Sequence, residues 1–128
     1  MNFDRKYLAW ALGYAAVGIA FGIVMAASHN VVQREVHSHT LLVGFVLSLG
    51  YGVIHKLWIE RLMPILAKTQ FIAHQAGTVT MCLGLLLLYG NIAPATLLDP
   101  VLGVSSVAIL AGVLLMLVMV LKANAAKA

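Results

Sequence analysis

Five histidines hold most of the chemical potential of this 128-residue chain: His29, His37, His39, His55 and His74. Three of them fall in one stretch, "REVHSHTLLVGFVLSLGYGVIHK", from Arg34 to Lys56. Neutral imidazole serves as an axial ligand to heme iron, binds copper or zinc, and relays protons near neutral pH. Supporting acids are scarce. The four Asp and Glu all lie at loops or at the ends of apolar runs, and no HExxH motif, nucleophile elbow or phosphate-cradling glycine motif is present. Hydrolytic catalysis is therefore poorly supported. The single Cys82 excludes an internal disulfide, argues against a thiolate metal cluster, and reads as a small buried hydrophobe.

The elements that must position these imidazoles are membrane helices. The chain is 62% hydrophobic and 9% charged, with a mean hydropathy of +1.01, more apolar surface than a water-soluble domain of this length can hide. Four apolar stretches, at roughly residues 7–27, 37–58, 70–89 and 100–121, are each about 20 residues long, enough to cross a hydrocarbon core. Short polar or turn-forming connections join them: "SHNVVQREV", "KLWIERLMPILAK" with its helix-breaking Pro64, and "GNIAPATLLDP" with Gly90, Asn91, Pro94, Asp99 and Pro100. The expected fold is all-α, a single-domain integral membrane up-down four-helix bundle, in which sites form from side chains on facing helices.

Charge sets an expected orientation. With the N-terminus in the cytoplasm, Arg5, Lys6, Lys56, Arg61, Lys68, Lys122 and Lys127 lie inside and only Arg34 outside, as the positive-inside rule requires. Both termini are then cytoplasmic and the expected home is a bacterial inner membrane. The net charge of +4 is explained by lipid headgroups and calls for no nucleic acid. A cleaved signal peptide shares the charged start and the small residues at 26–28, but the first apolar region is longer than such peptides usually carry. Small residues at four-residue spacing mark a close-packing face on every span: Gly18, Gly22 and Ala26; Thr40, Gly44, Ser48 and Gly52; Ala73 and Gly77; Ala108 and Gly112. On such a face another backbone, or a flat cofactor, can lie.

Rotation and depth separate the histidines. At about 100° per residue the step from His37 to His55 closes five turns, so both share the small-residue face, about 27 Å apart. His39 lies about 200° from His37 and points towards Val43, Val46 and Gly50, so the two cannot chelate one ion from a regular helix. His29, His37 and His39 belong to the outer level, His55 and His74 to the inner one. His29 reads as a solvated loop residue. His74, followed by apolar turns with Gly77, Met81 and Gly84 near its face, needs a partner to be tolerated in a membrane.

"HSHTLLVGF", His37 to Phe45, resembles the "HxHxxxxG(W/F)" opening of small bacterial four-span proteins that look like fragments of subunit I of the heme-copper oxidases and nitric-oxide reductases. "LAKTQFIAHQAG", Leu66 to Gly77, is similar to the start of their third span, with its histidine at His74. In the large members, a His, often followed by Thr, opens the second span from the outer side and is an axial ligand of the low-spin heme. The resemblance selects His39-Thr40 for that role, whereas the rotation argument favours His37. The later spans that supply the second axial ligand and the copper-binding histidines have no counterpart in a four-span chain, so oxygen or nitric-oxide reduction is not implied.

The resulting expectation is a membrane b-type cytochrome that passes electrons or binds a diatomic gas. Heme would be held by His37, His39, His55 or His74 of the second and third helices, with Gly44 and Gly77 giving room for the porphyrin. A homo-oligomer and a respiratory-chain partner or quinone are the expected associates. Two other readings stand beside it: a copper or zinc site at the outer mouth, formed by His37 and His39 with or without His29, and a cofactor-free assembly partner of a respiratory complex.

Overall fold

A computed structural model describes residues 2–60 and 63–127, with only the backbone of 125–127. Arg61, one of the charges used for orientation, lies outside the described residues. Helix α1 runs over Phe3–Ser28. The second span is continuous from Arg34 to Leu57 but changes its winding, as α2 (Arg34–His39), a π-helical stretch (Thr40–Val46) and α3 (Leu47–Leu57). Helix α4 covers Pro64–Tyr89 and α5 Ala95–Lys127.

All four spans are long and apolar enough to cross a membrane, and in the most apolar 18-residue window of each only 17% to 33% is buried within the chain. The remaining apolar surface requires lipid. This is an all-α, multi-pass membrane protein. Successive spans run antiparallel, so Phe3, Leu57, Pro64 and the end of α5 mark one end of the bundle, called here the terminus end, and Ser28, Arg34, Tyr89 and Ala95 mark the far end.

The helices exceed the expected spans, mostly at the terminus end. Pro64, expected to break a helix, instead starts α4, because its missing N–H is unneeded in a first turn and its fixed φ suits one. Pro100 also lies inside a helix. Pro94 caps that helix through its carbonyl, which accepts from the N–H groups of Leu97 and Leu98 at 3.1 and 3.2 Å, so Asp99 and Pro100 fall in early turns of α5 rather than in a loop.

Two helix pairs pack backbone to backbone through glycine. In the pair of α1 with the second span, a Cβ on Gly44 would meet the Tyr14 ring at 2.6 Å and one on Gly52 the Asp4 carbonyl at 3.2 Å. In the pair of α4 with α5, a Cβ on Gly77 would meet the Ser105 carbonyl at 3.0 Å, and one on Gly112 would meet His74 at 3.2 Å. Lipid tails are as apolar as the helices, so close approach of this kind replaces the hydrophobic force. Between the two pairs, long polar side chains do the joining. Tyr7 donates to Gln70 Oε1, Tyr14 donates to Gln75 Oε1 at 2.7 Å, and Gln75 donates to Ser48 Oγ at 3.4 Å.

Candidate functional site: the histidines at two levels

His37 and His39 leave α2 on opposite sides. His37 turns inward onto α1, where its Nδ1 lies 2.7 Å from the Gly18 carbonyl. Gly22 makes this possible, since a Cβ there would come within 3.0 Å of the imidazole. His39 turns back along its own helix, with Nδ1 2.8 Å from the Glu35 carbonyl. A carbonyl only accepts, so in both residues Nδ1 donates, and in the neutral imidazole this tautomer leaves the lone pair on Nε2. Metal-ligating histidines are held in this way, by the ring nitrogen that does not face the metal.

The two residues differ in what lies beyond Nε2. His37 stands over Gly22 at the α1 contact. His39 is half-buried on the outward side of the second span, above the exposed Leu42 and Val46 and, further along, Val53. Gly50 on this side has open space where a Cβ would be. No hydrogen bond reaches His39 Nε2 among the described residues.

The π-helical stretch begins directly after His39. Val36, Thr40, Gly44 and Ser48 are all buried, although in a regular α-helix the twelve residues from Val36 to Ser48 would turn the face by about 120°. The wider π turn advances fewer degrees per residue and holds this spacing of four on one side. Thr40 there donates to Cys82 Sγ of α4 at 3.4 Å. The sequence reading assumed uniform α geometry and had no signal for this change.

At the terminus end the imidazoles are enclosed. His55 is stacked between Phe3 and Tyr7, at ring-centroid distances of 5.5 and 5.8 Å. His74 is fully buried. Its ring meets Tyr51 edge-on at 5.0 Å and Tyr7 at 6.2 Å, and its Nε2 lies 3.0 Å from Ser48 Oγ. The expected common depth of His55 and His74 is not realised: both rings neighbour Tyr7, but His74 bonds Ser48, seven residues or about 10 Å further into the second span than His55, because α4 begins at Pro64 and carries His74 deeper than a span starting at Gln70 would. Gln70 and Gln75, which the sequence reading passed over, complete this polar layer, and Gln70 donates to the Gly112 carbonyl at 3.2 Å. Two amides inside an apolar helix were the available signal.

Gly44 and Gly77, expected beside a cofactor, are filled by Tyr14 and by α5 respectively. His29 is exposed and closes α1 in a left-handed conformation with φ 54°, a role for which histidine is one of the more tolerant side chains. An apolar groove of about 480 Å³ lies between α1 and α4, floored by Val36 and Thr40, with Trp10, Tyr14 and Cys82 on its walls and no histidine. Among the described residues no three His, Cys, Asp or Glu side chains gather as a metal-binding group.

The fold and these two levels define a four-span helical membrane protein with a buried polar layer and an outward histidine. No protein-family model matches the chain, and no curated protein and no solved structure is significantly similar to it.

Proposed function

We propose that the protein is a small membrane cytochrome, binding b-type heme through His39 at an interface between copies of the chain. The observation that supports this reading is the state of His39: a backbone carbonyl fixes its Nδ1–H, leaving an unpartnered Nε2 on a half-buried, outward-facing ring. A neutral imidazole held in one tautomer fits the donor that heme iron takes as an axial ligand. Heme, when bound, supplies one-electron redox chemistry.

One chain offers one such ligand. His37 is committed to the α1 contact, and His74 is engaged by Ser48 with no open space for a porphyrin beside it. An isologous contact places the same residue of both copies about the two-fold axis, so His39 would be joined there by the His39 of a second copy. The outward strip of Leu42, Val46, Gly50 and Val53 supplies a face for that contact, with Gly50 letting a neighbour approach. Arg5, Lys6, Lys56 and Lys68 at the terminus end, against Arg34 at the far end, favour a cytoplasmic terminus end and an outer His39 level.

The test is the absorption spectrum of protein purified after expression with ample heme. A Soret band, with sharpened visible bands on reduction that vanish in His39→Ala and persist in His74→Gln, supports the assignment. A wild-type protein without a Soret band sinks it.

A further inference from the structure

A second feature runs inward from the terminus end. A polar pocket of about 340 Å³ opens there, lined by Asn2, Asp4, Lys56 and Glu60, with His55 as its inner wall. From His55 towards the middle of the bundle follow buried polar atoms without a hydrogen-bond partner: His55 Nε2, Tyr51 Oη, His74 Nδ1 and Thr78 Oγ1. These four form a series, and Gln33 Oε1, at the far end of the bundle, stands apart from it. Tyr51 and His55 are four residues apart on one face of α3, His74 and Thr78 four apart on one face of α4, and the Tyr51 and His74 rings are in contact.

Each buried polar atom left without a partner is destabilising, and native proteins meet such groups with internal water that bonds two to four of them. In a membrane the water must enter from an aqueous face. His55 borders both the polar pocket and the series, which makes the pocket that entrance.

We infer that internal water fills a one-sided inlet from the terminus-end pocket, past His55 and Tyr51, to His74. His74 is the last imidazole on it, and the unbonded groups end one turn further on, at Thr78: the next polar side chain on that face of α4, Cys82, accepts from Thr40 at 3.4 Å, and the groups beside His74, namely Ser48, Gln75 and Tyr14, are bonded at 2.7 to 3.4 Å. Amides do not pass protons readily, so the bonded half locks His74 in place while the unbonded half connects it to water. A proton reaching His74 from the inlet water is matched by one returned to it, with no net chemistry. The consequence is a mid-membrane imidazole in proton exchange with one aqueous compartment only. This stands whether or not heme is bound at His39.

Water-edited solid-state NMR on the wild-type protein in lipid, with ¹⁵N-labelled histidine, tests it. Magnetisation from water should reach the His74 side chain, and its ring N–H should exchange in D₂O far faster than the Gln75 amide. Tyr51→Phe removes one water link and should slow the His74 exchange by up to about tenfold, the scale of one lost hydrogen bond, while Cys82→Ala, at the other level, should leave it unchanged. A His74 ring that receives no magnetisation from water in the wild type, or whose exchange Tyr51→Phe leaves untouched, overturns the inlet.

Discussion

The two halves of the second span meet different surroundings. From Leu47 to Leu57 it is α-helical and turns Ser48, Tyr51 and His55 into the bundle, where aromatic rings and amides of α1 and α4 surround them. From Arg34 to Val46 it is partly π-helical, sends His37 and His39 to opposite sides, and floors a groove with Val36 and Thr40. The contrast separates two uses of a polar residue in a membrane helix. Where partners converge, as on Ser48, a polar side chain joins helices. Where only its own backbone answers, as for His39, no second helix is joined and one ring nitrogen has no hydrogen bond among the described residues, the property on which the proposed heme site rests.

Changes that break the packed half should have the largest effect on stability. Gly44→Leu drives a side chain into the Tyr14 ring, which already stands 2.6 Å from the position of a Cβ. Beyond the about 1–3 kcal/mol usual for overpacking, it should prevent assembly of the α1 pair, read as loss of a cooperative unfolding transition in mixed micelles. Ser48→Ala removes the group that His74 and Gln75 share. With interhelical hydrogen bonds in membranes averaging about 0.6 and reaching about 1.7 kcal/mol, it should lower unfolding stability by about 1–2 kcal/mol. An unchanged midpoint would remove the polar layer as a joint between helix pairs.

Changes in the outward half should leave stability alone and act on assembly. Gly50→Leu meets open space within the chain, so the monomer should unfold as the wild type does, within about 0.5 kcal/mol for a surface change. Self-association, followed by energy transfer between labelled copies, should fall. Gly22→Ala is subtler: a methyl 3.0 Å from the His37 ring should weaken the bond to Gly18 with little effect on His39, sharpening the division between the two histidines.

The sequence made the number of spans, their antiparallel order and the buried face of the second span legible, because apolar length and a repeating spacing of four are local properties. The opposed directions of His37 and His39 were also legible, since both lie in the regular turn before Thr40. The π-helical stretch was not: its buried residues Gly44 and Thr40 meet Tyr14 and Cys82 on other helices, far away in sequence, and no local residue pattern marks the change of winding. Nor were the starts of α4 and α5: Pro64 and Pro100 signal a break in isolation and are tolerated where a first turn or a short capped segment precedes them. The partners of His74 were hidden for a related reason. Ser48 was placed on the right face, but Gln70 and Gln75 drew no notice until α1 supplied the tyrosines that bond them.

In the proposed cytochrome, the Nε2 of His39 holds a heme shared between two copies of the chain. The most direct measurement is the reduced-minus-oxidised spectrum of heme-supplied wild type beside His39→Ala, with heme quantified per chain. A heme shared through His39 gives one heme per two chains in the wild type and none in the variant, with both proteins folded. Full heme retention in folded His39→Ala would contradict it.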